Sequence, residues 1–264
     1  MKYGYFTKKS LLICLLGMLT ISACSCVNIG DLWPRVEYKE TNKFDASLAP
    51  GSILALENEV GSITIDGQDV TNCDVTAAIT VKAPTEEEAK ELARQIKIEL
   101  EQNGDTLTVK TTKPRQKRRR SISINFKIVV PKQTALQISS NVGEIHVSNI
   151  TEDIKAQTDV GKISCKEISG DIDLKVDVGK VNVVYSKTAS AACNVTIRTD
   201  VGSIDITTPP ECSAAVQANT DVGSISTDMP LTIKGRVGKN LQGTIGAGEG
   251  KLSLMTDVGS IRIR

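Results

Sequence analysis

The chain has 264 residues, and its 32 Lys and Arg against 31 Asp and Glu give a formal net charge of +1. Without a global positive field, nucleic-acid binding of the histone type is excluded. Aromatic residues make up only 3% of the chain and hydrophobic residues 40%, so the interior must consist of aliphatic side chains. The single histidine, His146, excludes multi-histidine metal sites and leaves histidine-dependent catalysis only one possible base.

The N-terminus has the pattern of an export signal. Three lysines precede an apolar run from Leu11 to Ile21, which is too short to span a bilayer. The run ends in Ile21-Ser22-Ala23-Cys24, which resembles a bacterial lipobox. We therefore predict a lipoprotein signal peptide over residues 1–23 and lipid attachment at Cys24. Two acyl chains hold a protein durably on a membrane, so the protein is predicted to be anchored without spanning the bilayer.

The segment after the lipobox indicates where the protein is held. Ser25 follows the cysteine, where Asp would signal retention at the inner membrane, so the resemblance favours the outer membrane if the cell has two membranes. Residues 24–43 contain Gly, Pro and mixed charge and are predicted to form a tether. The remaining residues, 44–264, are predicted to form one domain.

The N-terminal part of this domain, residues 44–131, is predicted to form irregular early rungs or, alternatively, a small α+β insertion that covers the exposed end of the solenoid. The spacing of Thr85 and Glu88 is that of a capping box, so we predict a helix over residues 85–94. Alternating apolar residues on both sides of Asn103-Gly104 predict a hairpin.

A dense basic run lies inside this part of the chain. Residues 113–120 contain six Lys and Arg, among them Lys117, Arg118, Arg119 and Arg120. The run is predicted to be an exposed loop between strands. The same residues have a functional interpretation as well, in which the run binds anionic glycans or phospholipid headgroups. The run contains no aromatic residue, which argues against binding of single-stranded nucleic acid.

Residues 132–264 carry a repeat. Asn-Val-Gly or Asp-Val-Gly recurs with glycine at 143, 161 and 179, a spacing of 18 residues, and then at 202, 223 and 259. Small insertions account for two longer intervals, and the last interval, 36 residues, is twice 18. An isolated copy lies upstream at Val60-Gly61. The flanking residues alternate apolar and polar, which indicates strands.

Because the apolar residues repeat with the coil, successive coils can stack as parallel strands. Adding 18 brings Ile145 onto Ile163, and it carries Val142 onto Val160 and then onto Val178. We expect both ladders to point inward. The sequence therefore predicts an all-β domain, a right-handed parallel β-solenoid with coils of about 18 residues. One short helix and one hairpin in the N-terminal half complete the predicted fold.

The Asp residue of each repeat has two interpretations. As a turn residue, it bonds a backbone N–H two positions on, beside a glycine that turns without steric hindrance. Alternatively, stacked carboxylates bind calcium. Nearby lysines and a single carboxylate per turn favour the turn interpretation, so we predict no metal site and no cofactor.

Five cysteines remain in an exported chain after Cys14 and Cys24 are set aside. Cys193 and Cys212 are separated by about one coil, so we predict that they stack and form a disulfide. Cys165 falls on the inward ladder and is expected to be a buried hydrophobic residue. His146 alternates outward and is expected at the surface.

The Val-Gly-x-Ile repeats, the helix and hairpin from Thr85 to Val109, and the closing stretch from Gly243 to Ile263 resemble the bacterial putative adhesin family. That resemblance implies an extracytoplasmic β-solenoid domain of unknown function, often in a lipoprotein. It implies no catalytic residues.

The leading functional prediction is a non-enzymatic, lipid-anchored envelope protein that acts as an adhesin-like surface or interaction scaffold. Its expected partners are the membrane, envelope proteins or anionic glycans, and not nucleic acid. An envelope-stress sensing lipoprotein is the alternative. A polysaccharide-acting β-helix enzyme is disfavoured, because short turns build no groove and the lone tryptophan, Trp33, lies in the tether.

Overall fold

The computed structural model describes residues 36–115, 119–230, 232–233 and 239–264. Within these residues the chain forms a mixed assembly of fifteen strands and one helix, so the all-β class is confirmed. The helix, α1, is Glu86–Arg94. The strands are β1 Val36–Ser47, β2 Ile53–Val60, β3 Ile63–Gln68, β4 Asn72–Ala83, β5 Lys97–Asn103, β6 Thr106–Thr112, β7 Ser121–Pro131, β8 Ala135–Ser148, β9 Ile154–Ile168, β10 Ile172–Tyr185, β11 Asn194–Thr207, β12 Ala214–Thr227, β13 Thr232–Ile233, β14 Asn240–Ile245 and β15 Gly250–Ile263.

Six long strands, β8 to β12 and β15, share one design. In β9, Ile154, Ala156 and Thr158 are buried before the glycine, and Ile163 and Cys165 are buried after it. The buried positions therefore change from even to odd numbers at the Val-Gly pair. Each strand bends there into two arms that bury side chains toward one core. We call such a bent strand a rung and its Val-Gly pair the corner.

Neighbouring rungs stack in parallel. Ile145 pairs with Ile163, Ile163 with Val181, and Val181 with Ile204. All four side chains are essentially inaccessible to solvent. The aliphatic ladder expected from the repeat is therefore present in these rungs.

The order of the last rungs differs from the sequence prediction. After β12 the chain turns back through β14, which pairs antiparallel with one edge of β12. β15 then inserts between β11 and β12 and pairs in parallel with both, so that Val258 lies between Val201 and Val222. The interpretation of the 36-residue interval as two coils is wrong. It contains a reversal followed by an insertion.

The N-terminal end also departs from a simple solenoid. β2 and β3 together form a first rung, with Val60 opposite Val142 and Ile63 opposite Ile145. Beyond it the two arms continue as separate series of strands. β2 pairs with β6, which pairs with β5, whereas β3 pairs with β7, β7 with β4, and β4 with β1. Several of these pairings are antiparallel. A wholly parallel solenoid is therefore wrong for the domain, and the right-handed coil stays a prediction.

The helix and the hairpin lie where the sequence places them. The Thr85 hydroxyl accepts a hydrogen bond from the Glu88 backbone N–H at 3.2 Å and caps α1, as the capping box predicts. α1 packs against β4 and β1 through Ala89, Leu92 and Ala93. β5 and β6 pair antiparallel across the predicted turn.

The domain begins earlier than the predicted boundary. β1 starts at Val36, inside the segment expected to be a tether, and pairs with β4 along its whole length. This strand was not predicted because its side chains alternate between half-buried and exposed. An edge strand of this kind shows little alternation of apolar and polar residues in its sequence. The predicted signal peptide, Cys24 and Cys26 lie outside the described residues.

Candidate interaction surface

The inner side of the corners explains why each is a glycine. At Gly161 φ is 152°, and a Cβ atom there would overlap the carbonyl oxygen of Gly143 on the neighbouring rung. Gly259 would likewise meet the carbonyl oxygen of Gly202. The rungs thus approach too closely at the corner for any side chain. These glycines were predicted because they allow a turn, and the structure shows that they also allow close packing of neighbouring rungs.

Beside the glycines, the inner side of the corner carries buried hydroxyl groups. The Thr220 hydroxyl donates to the carbonyl oxygen of Gly259 at 3.2 Å, and the Thr256 hydroxyl donates to that of Gly202 at 3.4 Å. On the first rung, the Asn58 amide donates to the carbonyl oxygen of Ile124 at 2.8 Å. These bonds satisfy backbone carbonyl groups at the bend.

The outer side of the corners carries a row of solvent-facing valines. Their exposed fractions run from 37% at Val60 to 59% at Val222. The expectation that Val142, Val160 and Val178 point inward is wrong, because the bend reverses the buried parity at the glycine. We call this row the valine ridge; in spatial order its members are Val60, Val142, Val160, Val178, Val201, Val258 and Val222.

Polar residues flank the ridge on both sides. The acidic row consists of the residues that precede the valines: Glu59, Asn141, Asp159, Asp177, Asp200, Asp257 and Asp221. The far row consists of the residues that follow the glycines: Ser62, Glu144, Lys162, Lys180, Ser203, Ser260 and Ser224. Every member of both rows is exposed or half-buried. The ridge is therefore an apolar strip with a mainly acidic border on one side.

Lys175 moderates the charge of the acidic row. Its ammonium group lies 2.9 Å from the Asp177 carboxylate. This hydrogen bond raises the pKa of Lys175, and the charges of Asp200 and Asp159 on the two neighbouring rungs raise it further. In the described part of the chain, no three His, Cys, Asp or Glu side chains are grouped to hold a metal ion.

The predicted polyanion-binding residues are not gathered into one described patch. Lys117 and Arg118 lie outside the described residues. Arg120 contacts α1, with its Nη2 atom 3.1 Å from Oε2 of Glu88. Arg119 has a left-handed φ of 70°. The end of the run is thus held against an acidic helix, which reduces the charge available to an anionic ligand.

Cys193 and Cys212 are both buried free thiols, and they hydrogen-bond to each other. This bond lowers the pKa of Cys212 and raises that of Cys193, and a hydrogen bond from Thr208 also lowers the pKa of Cys212. They do not lie on adjacent rungs, because the start of β15 passes between their strands. Their segments nevertheless touch, since the Ser213 backbone N–H donates to the Ala191 carbonyl at 2.8 Å. The disulfide stays a prediction.

Two other predicted positions are found as expected. Cys165 is fully buried on the inward ladder, and burial raises the pKa of its thiol to about 12. His146 lies at the surface of β8, with Nε2 2.8 Å from the Glu144 carboxylate.

Sequence reasoning missed a shallow depression on the outer face of β6, β2, β8 and β9. Its lining includes Glu57, Lys110, Lys155 and Gln157, and the Gln157 amide donates to the Ser139 hydroxyl at 3.0 Å. The pairings of β2 with β8 and of β8 with β9 bring Glu57 near Lys155 and Gln157. Lys110 joins them through the parallel pairing of β2 with β6, which no local pattern in the sequence signals.

Comparison with known proteins identifies the repeat region. Residues 132–264 match the family model described as Toastrack DUF4097. A putative cell adhesion protein of Clostridium sporogenes is 14% identical, with a TM-score of 0.54, over 85% of this chain and 99% of that chain. A putative adhesin of Bacteroides fragilis is also 14% identical, with a TM-score of 0.39, over 85% and 97%. No curated protein matches this chain. The described residues contain no helix long and apolar enough to cross a membrane.

Proposed function

Because the chain belongs to the Toastrack DUF4097 family, we propose that it is a lipid-anchored cell-envelope protein that acts non-enzymatically, as an adhesin-like surface or interaction scaffold. The observation that carries this proposal is the repeated outer surface of the corners. The same types of residue recur at the same place on seven stacked rungs. Such repetition suits contact along a line, whereas catalysis needs different groups that converge on one point.

Attachment to the membrane is the second part of the proposal, and its support is the lipobox at Cys24. Because β1 begins at Val36, we confine the proposed tether to residues 24–35. A short tether keeps the domain close to the membrane surface. In a cell with two membranes we place the anchor in the outer one.

The similarity to the Clostridium sporogenes protein supports a shared fold, and the adhesive role named for that protein is extended to this chain only as part of the proposal. A test compares cells that express the full wild-type chain with cells that express Cys24→Ala. We expect an alkyne fatty acid to label the wild type alone, and the variant to leave the membrane fraction.

Adhesion is measured on the same cells, as the fraction retained on immobilised mucin and on a layer of cells of the same strain. We expect greater retention for the wild type than for cells without the gene, and none of that gain for Cys24→Ala. Label without any gain in retention would contradict the adhesive role. Retention unchanged by loss of the label would contradict the anchor.

A further inference from the structure

The two rows beside the valine ridge are complementary on every rung. Most rungs place a carboxylate in one row and a donor, Ser or Lys, in the other. The single amide of the acidic row, Asn141, lies on the same rung as the single acid of the far row, Glu144. By rung, the members are Glu59 with Ser62, Asn141 with Glu144, Asp159 with Lys162, Asp177 with Lys180, Asp200 with Ser203, Asp257 with Ser260 and Asp221 with Ser224.

The chain itself does not use this complementarity. Asp177 pairs with Lys175, and Glu144 pairs with His146, so both are drawn to residues outside the opposite row. Among the described residues, no ion pair within 4.0 Å involves Lys162 or Lys180. Lys162 and Lys180 lie on the two rungs whose rows carry opposite charges. Their ammonium groups therefore face solvent beside an apolar strip.

A second copy of the chain is the partner that matches this surface in spacing and charge. The rungs repeat every ~4.8 Å, so another ridge brings a valine to each valine. A two-fold axis parallel to the ridge places the acidic row of one copy against the far row of the other, rung by rung. A two-fold axis perpendicular to the ridge places acidic row against acidic row and is disfavoured by repulsion.

We propose that two copies associate through their valine ridges, side by side and with the same direction of stacking. Asp159 and Asp177 of one copy then face Lys162 and Lys180 of the other, and Asn141 faces Glu144. A lipid surface is a poorer partner for the ridge, because anionic headgroups and the acidic row carry charges of the same sign and repel each other. The proposal rests on the proposed function in one respect, since copies anchored in one membrane already share this direction.

The size of the strip sets the expected strength. Seven rungs with six steps of ~4.8 Å give a length of about 29 Å, and three residues give a width of about 10 Å, so the strip covers roughly 300 Å². Stable complexes bury about 800 Å² per partner. We therefore expect association on the membrane, where the anchor raises the effective concentration, and little association of the dissolved chain.

The arrangement is tested by cysteine cross-linking of the full chain in the cell envelope, in a Cys26→Ser background. Single variants Val142→Cys, Val178→Cys and Val258→Cys are oxidised with copper phenanthroline and separated on a non-reducing gel. Because each rung faces its own counterpart, all three should give a dimer. An exposed residue on the outer face of β10, Asp173, provides the matched control, and Asp173→Cys should stay monomeric.

A dimer with Val178→Cys alone would overturn the parallel arrangement, because an antiparallel ridge brings only the central rung onto itself. Products of another mass at all three positions would show a different partner and would also overturn the proposal. Monomers throughout would do the same. If fatty-acid label and adhesion persist in any of these cases, the proposed function stands while this inference fails.

A charge exchange separates contact between copies from an effect within one copy. The Lys162→Asp and Lys180→Asp pair makes both rows acidic on the central rungs, and the Asp159→Lys and Asp177→Lys pair makes both basic. Placed in the Val142→Cys chain, each pair alone should lower the dimer yield about fivefold. Coexpression of the two should restore it as a mixed dimer. If coexpression does not restore the dimer yield, the acidic row of one copy does not face the far row of the other.

Discussion

The rungs β8, β9 and β10 can be compared with the rungs β11, β15 and β12, because both sets share one corner and differ in chain order. The first three follow one another along the chain and in space. In the second set, β15 comes last in the chain and lies in the middle. Yet Val258 pairs in register with Val201 and Val222, just as Val160 pairs with Val142 and Val178. Adjacency along the chain therefore does not determine which rungs pair.

The corner itself accounts for this agreement. A glycine allows the close approach of another glycine backbone, and the aliphatic residue two positions later needs an aliphatic neighbour. Any rung with both features can join the stack at any place. The two sets differ in the conformational entropy lost when the strand is brought to its place in the stack. The chain must turn back along β12 before β15 can insert between β11 and β12.

The largest expected effect comes from breaking a corner in each set. Gly161→Ala and Gly259→Ala should each lower the free energy of unfolding by about 4 kcal/mol, because the added Cβ overlaps a backbone carbonyl oxygen that cannot move without separating the rungs. The free energies are measured by urea unfolding. If the corner sets the pairing, the two losses are equal within about 1 kcal/mol.

Gly104 provides the matched control. It has a φ of 59° in the β5–β6 turn, and a Cβ there meets nothing within 4 Å. Gly104→Ala should cost only about 1 kcal/mol, for the left-handed backbone alone. A loss at Gly259 as small as the loss at Gly104 would show that β15 is held by contacts away from its corner.

The repeated corner also explains how much of the fold could be predicted from the sequence. The register of β8 to β10 was accessible because an identical spacing carries Ile145 onto Ile163 and then onto Val181. The insertion of β15 was not accessible, because its corner matches those of β11 and β12 equally well. Choosing its place requires the path of β14, which no repeat encodes.

The surface was less predictable than the core. Simple alternation, carried through the glycine, assigns Val160 to the inside, and only the bend moves it outside. The residues of the acidic row and the far row are visible in the sequence. Their placement on the two sides of one strip requires the bend at the corner, which the sequence does not show. For the cysteines, stacking on adjacent rungs was the wrong reason for a real proximity, which comes from the segments before β11 and β12.

An intermediate effect is expected from the cysteine pair, which lies only in the second set. Lys251 at the start of β15 donates its backbone N–H to the Cys193 carbonyl at 3.1 Å, and Gly250 donates to Ser213 at 2.8 Å. A disulfide between Cys193 and Cys212 would therefore clamp the entry of β15. Closing this loop should raise the free energy of unfolding by about 3 kcal/mol in oxidised over reduced protein.

The measurement is urea unfolding with and without dithiothreitol after treatment with glutathione disulfide, which accepts the two electrons as the thiols lose their protons. Since the pKa of Cys212 is lowered, its thiolate forms at a lower pH than an ordinary thiol, and bridge formation should accelerate at correspondingly lower pH. Cys193→Ser should remove the response to dithiothreitol. Full alkylation of both cysteines in oxidised, unfolded protein would rule out the bridge.

The smallest effect is expected outside both sets of rungs, at the basic run near α1. Arg120→Gln removes a partly exposed ion pair with Glu88 and should cost about 0.5 kcal/mol in urea unfolding, without altering the response of either corner variant. On a heparin column, the Lys117→Gln and Arg118→Gln double variant should elute at lower salt than the wild type, whereas Arg120→Gln should elute close to it. Arg120 is already engaged by α1, so its charge contributes little to an external anion. A larger shift for Arg120→Gln than for the double variant would mean that the ion pair opens when heparin binds, and that the arginine held against the helix is part of the anion site.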